Sequence, residues 1–437
     1  MTTTRTPATG DPGATLSPLA ASAPASHVEH WPGLATPPKA TLQAPVARSI
    51  VARAVRRLPV RMQFPDGSHW GAGGSDAPTM IMVRPDAVFA RLGVEFRVGF
   101  GEAYMAGDWT TAPGTDLADL LAPFADRLTE LVPKPLQKLR GVVDGTLPAH
   151  EENTVSGSRS NISRHYDLSN DLFAHFLDPT MTYSSAWFPD AITAEADLDL
   201  ERAQLRKMDG ILDFAHVADG TRVLEIGTGW GALAQRAAER GGLVTTVTIS
   251  QEQRELAQER IAAAGLADRV EVRLEDYRHV AGEYDAILSV EMIEAVGERF
   301  WPAYFATLDR LLAPGGRVGL QSITMAHDRM LVTRRSYGWI HKYIFPGGLI
   351  PSLQAIDQTL AGHTQLRVLE RRDLGWHYAE TLRQWRQRFA AAWPEVSTHG
   401  FDETFRRMWD FYLAYCEAGF RTEYLGVSQL SLGRLPR

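Results

Sequence analysis

The sequence predicts an α/β protein: a doubly wound, mostly parallel sheet forms the larger part, preceded by a smaller N-terminal α+β domain. Three observations lead there. Strand-like and helix-like segments alternate from residue 163 onward, the rhythm of a parallel sheet covered by helices. A buried strand at 222–226 runs straight into a turn with three glycines and then a helix. The chain has 437 residues, 44% hydrophobic and 22% charged, enough for two or three domains with cores of their own.

Residues 1–45 are rich in Thr, Ala, Pro, Gly and Ser. They bury too little to offset the entropy of ordering and are expected to form a disordered tail. Residues 46–132 form the small domain. Its first stretch carries Arg48, Arg53, Arg56, Arg57 and Arg61 with no acidic residue, while Ile50, Val51, Ala54, Val55 and Leu58 recur at helical spacing. This is a short basic amphipathic helix, suited to an anionic membrane surface or to a domain edge with a solvated face. Strand-like runs follow at 59–64 and 79–83, then a helix at 117–131. Residues 133–162 are rich in Pro, Gly and polar side chains and read as a linker. In the remaining domain, 163–437, strands are expected at 222–226, 244–249, 270–274, 285–290 and 318–323, with helices at 233–240, 251–263 and 300–312. Pro314-Gly315-Gly316 is read as a turn before the last of these strands. Ligands of such sheets sit at the carboxyl ends of the strands.

The formal charge of −7 lacks the basic footprint of a nucleic-acid binder. Cys416 is the sole cysteine, which excludes an intramolecular disulfide and a Cys-rich zinc site, and no metal is expected. No run of about 18 apolar residues is present to span a bilayer, and the N-terminus lacks the apolar core of a secretory signal.

The strongest local signal is Val223-Leu224-Glu225-Ile226-Gly227-Thr228-Gly229-Trp230-Gly231. Gly227, Gly229 and Gly231 permit a tight turn and a close backbone approach to a ligand. Gly227-x-Gly229-x-x-Ala232 also matches a permissive dinucleotide fingerprint. Two features favour S-adenosylmethionine over NAD. Glu225 would repel a pyrophosphate but can hold the ammonium of the methionine moiety. The next strand ends Thr248-Ile249-Ser250, without the acid that usually takes an NAD ribose. Gln253 is placed to reach the ribose hydroxyls. Glu275 and Asp276 follow the third strand, where Asp276 can accept from the adenine amino group.

Other motifs narrow the substrate. His165-Tyr166-Asp167-Leu168-Ser169-Asn170-Asp171-Leu172-Phe173 leads into Leu177-Asp178-Pro179-Thr180-Met181-Thr182-Tyr183-Ser184-Ser185-Ala186-Trp187-Phe188. With Glu294-x-x-Gly297-Glu298, Ile344-Phe345-Pro346-Gly347-Gly348, His377-Tyr378-Ala379-x-Thr381-Leu382 and Phe420-Arg421, this resembles the cyclopropane fatty acid synthase family. Gly101-Glu102-Ala103-Tyr104-Met105-Ala106-Gly107-Asp108-Trp109 resembles the N-terminal domain of members acting on phospholipids. The resemblance implies a class I methyltransferase, Rossmann-like fold and transfer of a one-carbon unit to the double bond of an unsaturated acyl chain. It also places Tyr183 and Ser184 at the cofactor.

An alkene is a weak nucleophile and attack leaves a carbocation, so the site should be dry, apolar and rich in aromatic faces. Each face stabilises a cation by roughly 0.5–2 kcal/mol. Tyr183, Trp187, Phe188, Trp339, Tyr343 and Phe345 are the candidates near the motifs. In the family the final proton goes to a bound bicarbonate. By position its ligands here are Glu294, the Ile323 backbone and Tyr378, with Ser185 where a cysteine is expected and Gln321 where a histidine is expected. Ser and Gln keep hydrogen-bonding capacity, but Gln321 cannot take up a proton. Glu294 can act as base itself if burial raises its pKa. Loss of a methyl proton at once closes a cyclopropane; a hydride shift first gives a 10-methylene chain, which a partner reductase would turn into a methyl branch. The motif set with Ser185 and Gln321 resembles the branch making 10-methylene chains, precursors of tuberculostearic acid, and a cyclopropane synthase stands as the alternative.

The stretch 331–351 is basic, aromatic and apolar together. Arg334, Arg335 and Lys342 are expected to meet phosphate while Trp339, Ile340, Tyr343 and Ile344 line or cover an acyl path. The expected partners are therefore a phospholipid membrane surface, an unsaturated acyl chain and a downstream reductase, with a homo-oligomer compatible. The expected location is cytoplasmic, peripheral to the inner face of the membrane. A methyltransferase of a soluble small molecule, a non-catalytic lipid binder and an NAD enzyme are the rivals.

Overall fold

The computed structural model describes residue 31 and residues 34–126, 170–334 and 336–435. A small sheet comes first: β1 (Arg61–Gln63), β2 (His69–Trp70), β3 (Thr79–Met82) and β4 (Trp109–Thr111), in the order β2-β1-β3-β4. The helices Gln43–Val55, Pro85–Val94, Phe96–Met105 and Leu117–Asp126 accompany it, giving the expected α+β composition. The first helix turns Ala47, Val51 and Val55 inward, and the Arg48 guanidinium lies over Phe64, Trp70 and Phe89, 5.9, 5.5 and 5.4 Å from their centroids.

Order begins earlier than composition predicts. Leu34 is 4% exposed, its carbonyl accepts from the buried Arg91, and the first helix starts at Gln43. Residues 34–45 therefore belong to the domain rather than to a tail. The linker 133–162, the end of the 117–131 helix and the motif stretch 163–169 lie outside the described residues.

The large sheet holds β5 (Arg222–Ile226), β6 (Leu243–Thr248), β7 (Val270–Leu274), β8 (Tyr284–Val290), β9 (Leu312–Met325), β10 (Leu366–Asp373) and β11 (Leu425–Arg434). Its order is β10-β11-β9-β8-β5-β6-β7. The five strands from β9 to β7 are parallel, and β11 runs antiparallel to both β9 and β10. Val223, Leu224 and Ile226 are all buried, the continuous apolar run of a strand covered on both faces. Strand order reverses at β5, with β6 on one side and β8 on the other, so the crevice lies at their carboxyl ends. Pro314-Gly315-Gly316 is not a turn ahead of β9 but lies within it, beside a register shift against β8 between Tyr284 and Ala286.

The two sheets' domains are joined by polar and steric contacts. The Tyr104 hydroxyl donates to Asp410 Oδ2 at 2.9 Å, and Arg386 donates to both Asp116 oxygens at 2.8 and 2.6 Å. Gly101 lies flat under Trp339, where a Cβ would fall 2.5 Å from the indole ring.

Candidate active site

One continuous cavity of about 1370 Å³ runs from the carboxyl ends of β5, β6 and β7, past the ends of β8 and β9, into the N-terminal domain. Ordinary ligand pockets span roughly 300–1,000 Å³, so this one has room for two ligands.

The polar end is built by β5 to β7. Glu225, the penultimate residue of β5, is buried and accepts from the Thr246 hydroxyl at 2.6 Å. Burial pushes its carboxyl up to about 8, against the Thr246 bond and the Lys207 charge. Gly227 and Gly229 line the cavity with φ of 98° and 52°, in the left-handed region that glycine enters without strain. Gly231 stands apart from the lining: with φ 89° it starts the helix Ala232–Glu239, and a Cβ there would press on Ala257 at 3.2 Å. Packing of that helix against Ala257 accounts for this glycine, whose neighbours Trp230 and Ala232 border the cavity. Thr248, Ile249 and Gln253 line the cavity after β6, and the Thr248 hydroxyl donates to Gln253 Oε1 at 2.9 Å. Glu275 and Asp276 line it after β7. Arg278 grips Asp276 through Nε and Nη2 at 2.8 and 2.6 Å; burial works to raise that carboxyl, but the Arg278 bonds and charge outweigh it.

Tyr183 and Ser184 also face the cavity. The Tyr183 ring stacks on Trp385, centroids 5.1 Å apart, and its hydroxyl shares a hydrogen bond with Tyr412 at 2.7 Å. Lys207 donates to Ser184 Oγ at 2.7 Å. Burial pushes the Lys207 ammonium down to about 8, opposed by attraction to Glu291, Asp178 and Glu225. These groups suit S-adenosylmethionine: a buried carboxylate for its ammonium, an amide and a carboxylate for ribose and base, and glycines that admit its backbone-hugging pose.

A pair of carboxylates marks the middle of the cavity. Glu291 follows the end of β8 and adopts φ 49°, a strained value for a residue with a side chain. Its Oε1 accepts from the Ser185 N–H and from Gln321 Nε2, both at 2.9 Å, and its Oε2 accepts from the Tyr378 hydroxyl at 2.7 Å. Gln429 Nε2 donates to Gln321 Oε1 at 3.0 Å, which leaves the Gln321 amide N–H free to face Glu291. Glu294 accepts from the Ile323 N–H at 2.5 Å and the Ser322 hydroxyl at 2.8 Å through one oxygen. Its other oxygen is buried with no hydrogen-bond partner among the described residues. Burial, then the nearby Glu291 charge, pushes the Glu294 carboxyl up to about 8. Burial also raises Glu291, but three donors and Lys207 oppose it. Of the two, Glu291 is the better stabilised as the anion and Glu294 as the neutral acid.

The residues expected to hold bicarbonate are thus brought together, but they are already engaged. Ser185 and Gln321 are fully buried behind Glu291, and the Ser185 hydroxyl turns to the Ala186 carbonyl at 3.0 Å. Ser185, Gln321 and Tyr378 donate to Glu291, and Ile323 to Glu294. A bicarbonate does not fit this arrangement, because a carboxylate of the chain itself stands among the donors. Sequence reasoning missed Glu291, Lys207 and Tyr412; only the acidic residue directly after the apolar end of β8 signalled the first.

Beyond the carboxylates the lining is apolar and aromatic: Phe345, Tyr412, Phe420, Trp339, Phe100 and Phe124 lead to Ile50 and Val46 of the first helix and to Leu42 just before it. Of the expected aromatic residues, Trp187, Phe188 and Tyr343 lie off this path. Trp187 is sandwiched by Arg206 and Arg372, Phe188 stacks on Trp376, and the Tyr343 hydroxyl donates to Glu102 at 2.7 Å. The basic side chains meant for phosphate are also committed: Arg334 pairs with Glu298 at 3.2 Å and Lys342 with Glu102 at 2.6 Å, while Arg335 lies outside the described residues. Among the described residues no helix is long and apolar enough to cross a membrane.

Comparison with known proteins agrees with this architecture. The pattern of the family described as mycolic acid cyclopropane synthetase matches residues 154–430. The tuberculostearic acid methyltransferase of Mycobacterium tuberculosis is 49% identical over 411 residues, covering 93% of this chain and 96% of that protein. The cyclopropane-fatty-acyl-phospholipid synthase of Escherichia coli K12 is 36% identical over 372 residues, 82% of this chain and 88% of that one. Among solved structures, mycolic acid cyclopropane synthase CmaA1 complexed with SAH and CTAB superposes with a TM-score of 0.57 at 30% identity, covering 63% of this chain and 97% of that one. Spanning the parallel sheet, the glycine loop and the carboxylate centre alike, these matches place the chain in the mycolic acid cyclopropane synthetase family of S-adenosylmethionine-dependent methyltransferases.

Proposed function

We propose that this protein transfers a one-carbon unit from S-adenosylmethionine to the double bond of an unsaturated fatty acyl chain of a phospholipid, giving a 10-methylene chain. The observation that carries the reading is the single cavity whose polar end suits the donor, whose other end is apolar and aromatic, and whose middle holds two carboxylates. Bound there, the donor supplies an electrophilic sulfonium methyl. Glu225 and Gln253 orient it, and the glycine loop brings it close to the backbone. Tyr183, Tyr412 and Phe345 offer ring faces to positive charge developing on the acyl chain, each worth roughly 0.5–2 kcal/mol. Their apolar surroundings exclude the water that would otherwise capture a cation. A carboxylate then accepts the proton.

Lipid access follows from the rim. Leu42, Val46, Val94, Phe96 and Val332 border the cavity yet are 82%, 60%, 55%, 47% and 52% exposed. An apolar rim of this kind suits docking on a bilayer from which one acyl chain enters. The protein would work as a peripheral protein at the inner face of the membrane, with a reductase consuming its product. The 10-methylene product is favoured over a ring by the 49% identical relative named for tuberculostearic acid. The test is incubation with a ¹³C-methyl donor and monounsaturated phospholipid vesicles, followed by NMR of the lipid. Labelled olefinic methylene protons are expected; high-field ring protons would reverse the product assignment.

A further inference from the structure

We propose that the Glu291 carboxylate is the base of this reaction, taking the proton from the newly attached methyl group in place of a bound bicarbonate. The inference rests on the reading above. Glu291 lines the cavity at the end of β8, the strand beside β5, so it stands at the junction of the polar and apolar ends. Three donors converge on it: the Ser185 N–H, the Gln321 amide and the Tyr378 hydroxyl. Four of the five positions expected to hold a free anion thus present their donors to chain carboxylates instead, counting the Ile323 N–H on Glu294. Gln321 is held in turn by Gln429, and Gln429 by Arg372 at 2.9 Å, so the donor array is built in depth. The backbone at Glu291 sits at φ 49°, a conformation that costs energy for any side chain and that persists where a site requires it.

The partner carboxylate argues the same way. Glu294 has one oxygen with no hydrogen-bond partner among the described residues, which favours its neutral form and leaves Glu291 as the ionised member of the pair. The chemistry balances with no added reagent. The acyl π pair forms the bond to the transferred methyl, and the pair of the broken C–S bond stays on sulfur, leaving a cation on the neighbouring carbon. Glu291 takes H⁺ from that methyl, and the C–H pair closes the ring. If a hydride first shifts from the methyl-bearing carbon to the cation, the same pair forms the exocyclic double bond. In both cases the carboxylate charge and the carbocation charge cancel and Glu291 becomes the neutral acid.

The test compares wild type, Glu291→Gln and Glu291→Gly with a labelled donor and monounsaturated vesicles, in buffer freed of carbon dioxide and in buffer with added bicarbonate. Binding of S-adenosylhomocysteine and the melting temperature check that each variant folds. Expected are wild-type turnover indifferent to bicarbonate, a loss of about 10²–10⁴-fold in Glu291→Gln with S-adenosylhomocysteine binding intact, and partial rescue of Glu291→Gly by bicarbonate, which would enter the space left among the same donors. Wild-type turnover that falls when carbon dioxide is removed overturns the proposal, as does a Glu291→Gln variant with near wild-type rate. If wild type itself labels no acyl lipid, the proposed function fails rather than the assignment of the base.

Discussion

Replacing Tyr378 by Phe removes one oxygen and leaves the ring packed on Phe420, their centroids 4.5 Å apart. The lost group is the hydroxyl that donates to Glu291 Oε2 at 2.7 Å. A hydrogen bond to a charged acceptor contributes about 1.5–3 kcal/mol, and one pKa unit is about 1.36 kcal/mol. Removing the donor disfavours the ionised form, so the Glu291 pKa rises by about one to two units. A base works when ionised, so turnover falls as pH drops through this pKa, and the acid limb of the profile shifts to higher pH by that amount. The assay is kcat against pH on monounsaturated phospholipid vesicles, with the melting temperature of the variant as a check on folding. An acid limb that stays in place or moves to lower pH would refute the role given to Glu291.

Glu294 carries a stability prediction. Its folded-state pKa is raised from 4.5 to about 8, so its contribution to stability is greatest below the unfolded value and is lost as pH rises through about 8; Glu294→Gln should therefore flatten the fall in melting temperature across that window, and an unchanged slope would count against a neutral Glu294. Gly101→Leu drives a side chain into the Trp339 indole, where a Cβ alone would sit at 2.5 Å; it should cost about 1–3 kcal/mol by overpacking, read by thermal unfolding, and lower lipid turnover more than donor binding. Leu42→Asp with Val46→Asp should weaken sedimentation with vesicles while leaving S-adenosylhomocysteine binding intact by calorimetry, since both side chains stand at the exposed rim far from the glycine loop.

Much of the fold and the polar end of the site is legible in the sequence because local rules govern them. The apolar run of β5 requires burial on both faces, and Gly227 and Gly229 mark a turn whose positive φ only glycine adopts freely. What resists reading depends on contacts distant in sequence. Leu34 is ordered by Arg91 and Lys342 is neutralised by Glu102, neither of which a local pattern reveals. Trp187 and Phe188 sit next to the motif residues, yet adjacency in sequence does not say which way a side chain points, and both face away from the acyl path. Glu291 is the sharpest case. Its meaning comes from Ser185, Gln321 and Tyr378, three segments that meet only in the folded chain, and it turns the departure at Gln321 from the loss of an anion ligand into a support for a resident carboxylate, to which Ser185 contributes its backbone N–H.

In the proposed reaction the donor methyl is added to an acyl double bond and then gives up one hydrogen. A donor carrying a trideuterated methyl group tests this directly, with monounsaturated phospholipid vesicles as acceptor and mass spectrometry of the recovered acyl chains. The label is expected to enter the acyl chain, and each product to retain two of the three deuterons, whether ring or methylene. Acyl chains that keep all three deuterons, or label found only in water-soluble products, would contradict it.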